Sequence, residues 1–146
     1  MSSRLVRTLR RFRRDRRGQA LVEFALVVPI LLLLVLGIID FGRAWNLHQT
    51  ITDAAREGAR QAVISNAVTQ DSAVAIVAGV IRASGFDPGL ATVGFPDGFK
   101  TGRGEVTTVT IDMPYRFGFL APFIRLVTTD NTATIRLRTY ARMRNE

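Results

Sequence analysis

From Ala20 to Ile39 the chain runs twenty residues with a single charged position, Glu23. A helix of that length is about 30 Å long, the thickness of a bilayer's hydrocarbon core. Phe24 to Ile39 holds thirteen large aliphatic or aromatic residues. Together they favour insertion by about 6 kcal/mol, against a cost of at most about 2.5–3.5 kcal/mol for Glu23 near the edge. The pattern therefore predicts a transmembrane helix, with Pro29 a mild local weakness that membrane helices tolerate.

Polar residues return at Asp40, Arg43, Asn46, His48 and Gln49, which are expected to mark the change to water. The helical period does not stop there. Leu47, Ile51, Ala54, Ala55, Gly58, Ala59, Ala62 and Val63 recur at spacings of three and four, predicting an amphipathic continuation of the same helix. Ala54, Gly58 and Ala62 form a small-xxx-small row that lets another backbone approach closely, either inside the fold or in an assembly.

Asp71-Ser72 can cap a second helix over Ala73–Ser84, stopped by Gly85. The Gly-rich stretch 86–104 carries turn signals at Asp87-Pro88-Gly89 and Pro96-Asp97-Gly98, with room for a short strand at Ala91–Phe95. Glu105–Met113 alternates as a strand, with Val109, Ile111 and Met113 on one face, and is expected to end at Pro114-Tyr115. The apolar stretch from Phe117 to Val127, broken by Gly118 and Pro122, reads as a covering loop or surface patch. After a turn at Asp130-Asn131, Thr132–Met143 alternates cleanly. Ala133, Ile135, Leu137, Ala141 and Met143 point inward; Arg136, Arg138, Tyr140 and Arg142 point outward. The expected fold is α+β: one long N-terminal helix, half transmembrane and half amphipathic, then a short second helix and a small antiparallel sheet packed on the first.

Charge sharpens this picture. Residues 1–17 carry eight Arg and one Asp, so most of the net +8 sits in the head of the chain. Arginines just before an apolar span hold that end in the cytoplasm and attract anionic lipid. Nucleic-acid binding is not expected, because no basic and aromatic surface accompanies the tail. The absence of cysteine removes disulfides and thiolate metal sites. The layout is a basic leader at 1–18, a membrane helix at 19–40 and an extracytoplasmic α+β domain at 41–146.

The sequence Arg17-Gly18-Gln19-Ala20-Leu21-Val22-Glu23-Phe24, with Pro29, the leucine run, Asp40-Phe41-Gly42-Arg43 and Ala54-Ala55-Arg56-Glu57-Gly58-Ala59-Arg60, resembles the TadE-like family over about residues 17–62. Members are minor pilins or pseudopilins of the Tad (Flp) pilus system. The resemblance implies a pilin-like protein whose leader is cut between Gly18 and Gln19 by a prepilin peptidase at the cytoplasmic face. Glu23 would then be the fifth mature residue, followed by Phe24 in the place of the usual aromatic. In this family's mechanism the acid aids assembly by pairing with a neighbouring subunit's N-terminal amine. That role agrees with the cost of an unpaired carboxylate at the entrance of an apolar helix. The implied partners are the prepilin peptidase, the major pilin and other minor pilins, the inner-membrane assembly platform and membrane lipid. The implied location is the inner membrane, single-pass, or the pilus itself.

No catalytic chemistry emerges. The chain lacks the sequence patterns of zinc peptidases, P-loop proteins and dinucleotide-binding folds. His48 is expected to be solvated or interfacial, not catalytic. Asp87, Asp97 and Glu105 fit no calcium-loop spacing. No cofactor or metal is expected, and the chain reads as a peptidase substrate, not an enzyme. Two alternatives stay open. One is an uncleaved single-pass anchor carrying an outer binding domain. The other is a signal peptide cut after Ala44, in the small-x-small sequence Gly42-Arg43-Ala44.

Overall fold

The computed structural model describes residues 16–64, 68–100, 102–128 and 132–145. The basic leader to residue 15 and the expected Asp130-Asn131 turn lie outside the described residues. The architecture is α+β, as the pattern predicts. Helix α1 is Arg16–Ile64 and α2 is Gln70–Ala83; a 3-10 turn spans Pro88–Leu90. Strand β1 is Thr92–Gly94, β2 is Val106–Arg116, helix α3 is Ala121–Val127 and β3 is Thr134–Arg144.

The chain divides into two units, Met1–Ile39 and Asp40–Glu146. In the first, α1 stays helical through Pro29. The most hydrophobic window of α1 has none of its residues buried. By length and composition this helix can cross a membrane, and water is a poor solvent for such a surface.

In the second unit, α1 presents Leu47, Ile51, Ala54, Ala55 and Ala59 to the core, all essentially without exposure. They meet Val77 and Ile81 of α2, and Val109, Ile111 and Met113 of β2. The sheet is antiparallel in the order β1-β2-β3. Its register pairs Val109 with Ala141 and Asp112 with Arg138. The core uses the period-2 pattern read in both long strands, except that Ile135, expected inward, is exposed, while Thr139 on the same face is buried.

Three boundaries differ from expectation. Helix α2 begins at Gln70, because Thr69 is the cap: its hydroxyl accepts from the Ser72 amide, and the Ser72 hydroxyl answers the Thr69 amide in a capping box. Strand β2 runs past Pro114 to Arg116. Strand β1 pairs only with Thr110–Asp112, so beyond that point β2 has one free side, where a proline costs no ladder bond. The apolar stretch after β2 is not all loop; its second half is α3.

Candidate processing and assembly segment

Gly18 and Gln19 lie in the first turn described for α1, with Glu23 and Phe24 one turn further on. A helical spacing of four puts Gln19 beside Glu23, and the Gln19 amide Nε2 donates to Glu23 Oε1 at 3.0 Å. Both residues are exposed, and Phe24 is 67% exposed. A Cβ added to Gly18 would meet nothing within 4 Å. Among the described residues, neither packing nor backbone strain explains why a glycine, about 1 kcal/mol poorer than alanine in a helix, stands there.

The small-residue row is different. Ala54, Gly58 and Ala62 are all buried. A Cβ on Gly58 would lie 2.7 Å from Cγ2 of Val77. This glycine lets α2 come close to α1, so the row is filled from within the second unit.

Asp40, the first residue after the apolar run, does not meet water. It is fully buried. Its Oδ2 accepts from the amides of Phe119 at 2.9 Å and Leu120 at 2.8 Å, while Oδ1 accepts from Gly118 at 3.3 Å. Three backbone donors converge on one carboxylate, which is how a buried charge is made tolerable. The Asp40 carbonyl accepts from the Tyr115 hydroxyl at 3.0 Å. Burial, and then the nearby Asp40 carboxylate, raise the Tyr115 pKa above the ordinary phenol value. One turn on, the Arg43 guanidinium lies over the Phe119 ring, 5.4 Å from its centroid. Sequence reasoning missed this joint. The available signal was an acid directly after an apolar run, within a motif that also holds Phe41, Gly42 and Arg43.

Residues 18–60 match the TadE-like protein family. The chain is TadE-like over that region. Comparison with curated proteins and with solved structures returns no match. The family match is confined to residues 18–60, less than a third of the chain. It takes in Gly18, Gln19, Glu23, Phe24, Asp40, Arg43, Ala54 and Gly58. The amides that grip Asp40 lie outside it, so the TadE-like segment carries the acid and the rest of the chain supplies the donors.

Other polar groups that the sequence singles out have structural partners. His48 stacks on Trp45 with centroids 6.3 Å apart. Asp87 accepts from the Gly89 amide, Asp97 from the Thr108 hydroxyl and Glu105 from the Gly102 amide. Asp87 and Glu105 thus close local turns, while Asp97 ties its loop to β2. No metal-ligating cluster occurs among the described residues. On the outer sheet face Asp112 bridges Arg136 at 2.8 Å and Arg138 at 2.9 Å. Their hydrogen bonds, Arg136 foremost, hold its carboxyl below the ordinary aspartate range.

Proposed function

We propose that this chain is a minor pilin or pseudopilin of a Tad/Flp-type pilus. A prepilin peptidase cuts it between Gly18 and Gln19 at the cytoplasmic face of the inner membrane. The helix from Gln19 to Asp40 then anchors it, with the α+β unit outside, until it enters an assembly with the major pilin and other minor pilins on the inner-membrane platform. The observation that carries this reading is Gly18. Within a TadE-like segment, a glycine with no packing role among the described residues stands five residues before a carboxylate at the entrance of an apolar helix. A requirement imposed by another protein, the peptidase, accounts for it.

Glu23 supports the assembly half of the reading. Its carboxylate already takes a hydrogen bond from Gln19, the residue that would become the new terminus. In an apolar assembly the amine of a neighbouring subunit compensates that charge.

The signal-peptide alternative fares poorly. A cut after Ala44 would remove Asp40 and leave the amides of Gly118, Phe119 and Leu120 without their acceptor. Ala44 itself belongs to the core. The uncleaved anchor is the second reading, and one measurement separates all three: the N-terminal sequence and intact mass of the protein from native membranes. A start at Gln19 supports the proposal. A start near Met1 favours the anchor, and a start at Trp45 favours the signal peptide. Replacing Gly18 with a bulky residue should abolish the Gln19 start, and Glu23→Ala should impair assembly.

A further inference from the structure

Helix α3 exposes a surface that water does not suit. Phe123 is 42% exposed, and Leu126 and Val127 are each 85% exposed. Phe119, just before the helix, is 43% exposed. Only Ala121 of the helix is buried. A single isolated leucine on a surface needs no explanation, but four large apolar residues within nine positions form a patch. Between Met113 and Thr128 the sequence has Arg116 and Arg125 and no acid; both arginines are exposed.

The position of the patch is set by Asp40. That residue is bonded to Ile39, the last residue of the apolar run. Its carboxylate holds the Phe119 and Leu120 amides directly, and its carbonyl holds Tyr115. The entry to α3 is thus pinned within hydrogen-bond distance of Asp40, the residue that follows the apolar run in sequence. Phe41 and Trp45, 67% and 57% exposed, occupy the next turn of α1 and stack at 6.4 Å between centroids. With Phe117, Ile135 and Leu137 they line an apolar groove of about 220 Å³. Aromatic residues gather where a span leaves the hydrocarbon.

We infer that α3 is a second membrane contact: Phe123, Leu126 and Val127 lie in the interface of the bilayer that the first helix crosses, with Arg116 and Arg125 at anionic headgroups. Short apolar faces flanked by basic residues bind at the headgroup and acyl boundary, at a depth of about 5–10 Å. A lipid occupant is favoured over a protein one by two features: the patch is tied to the residue that follows the span, and the segment that carries it holds two arginines and no acid. The inference rests on the membrane-anchor part of the proposed function. It does not require cleavage or pilus assembly.

The chain has no cysteine, so single labels can be placed without background. The full chain carrying Leu126→Cys, Ile30→Cys or Arg142→Cys is labelled with a polarity-sensitive fluorophore. Each is reconstituted into phosphatidylethanolamine and phosphatidylglycerol vesicles containing nitroxide lipids. The expected result is quenching at position 126 by shallow nitroxides, quenching at 30 by deep ones, and none at 142. Quenching at 30 but not at 126 overturns the inference and leaves the anchor standing. A label at 126 that is shielded from aqueous iodide yet untouched by nitroxide lipid also overturns it, in favour of a second copy of the chain covering the patch. No quenching at 30 would show that the anchor itself has failed, and the inference with it.

Discussion

The carboxylate of Asp40 accepts a hydrogen bond from the backbone amide of Leu120 at 2.8 Å, across eighty positions of sequence. With the amides of Gly118 and Phe119 it closes a joint that nothing local to Asp40 announces. Replacing the acid with alanine strands three donors and opens a hole beside α3. Asp40→Ala is expected to cost about 2–4 kcal/mol. Asp40→Asn, which keeps one oxygen acceptor, should cost less than alanine. Urea unfolding of the full chain in detergent checks both, followed by the fluorescence of Trp45, the only tryptophan.

Gly58 should resist enlargement. Val77, whose Cγ2 would sit 2.7 Å from a new Cβ, is itself fully buried and cannot swing away. Alanine would gain about 1 kcal/mol of helix propensity and lose about 1–3 kcal/mol to overpacking. Gly58→Ala is therefore expected to be neutral to destabilising, and Gly58→Leu clearly destabilising. Adding Val77→Ala to Gly58→Ala should recover part of any loss. Thermal unfolding of the two single variants and the double variant measures that coupling.

Acid should weaken the outer sheet face. The Asp112 carboxyl is held below its ordinary value, so its pairing contributes fully above the unfolded pKa of about 3.9 and is lost as pH falls through the folded value. Both arginines are largely exposed, at 70% and 76%, which limits the contribution to about 1 kcal/mol or less. Asp112→Asn should be less stable than the parent at pH 7. The gap should close below about pH 4, as read from paired urea titrations.

Base should weaken the joint at Asp40. The Tyr115 pKa is raised, so the stability tied to its neutral hydroxyl is present below about pH 10 and is lost as pH rises through the higher folded value. Tyr115→Phe removes this alkaline sensitivity. It should also cost about 1 kcal/mol at neutral pH through the lost bond to the Asp40 carbonyl. Stability measured from pH 8 upward distinguishes the two proteins.

Gly18 should separate folding from processing. Because a Cβ there meets nothing, Gly18→Leu is expected to leave unfolding of the α+β unit unchanged. On the proposed reading it leaves the leader uncut, seen as the full-length mass in native membranes. Normal cleavage of Gly18→Leu would remove the reason offered for that glycine.

Much of this protein follows from sequence alone. Long-range alternation in β2 and β3, the apolar run of α1 and the small-residue row each state which face is apolar, because period and burial are linked by backbone geometry. The segment Gly18 to Phe24 was legible for another reason: it lies in the TadE-like match, and a linear motif is read without the fold. What only tertiary structure decided is how polar groups are satisfied. Asp40 reads as a water-facing acid by position, yet it is buried, because three amides from the far side of β2 reach it. Thr69, not Asp71, caps α2, and Pro114 stays in a strand because β1 ends before it. Each of these outcomes depends on which donors and free edges the fold brings near a residue. Hydrogen bonds between distant segments leave no period in the chain, so no pattern of hydrophobic and polar positions could have disclosed them.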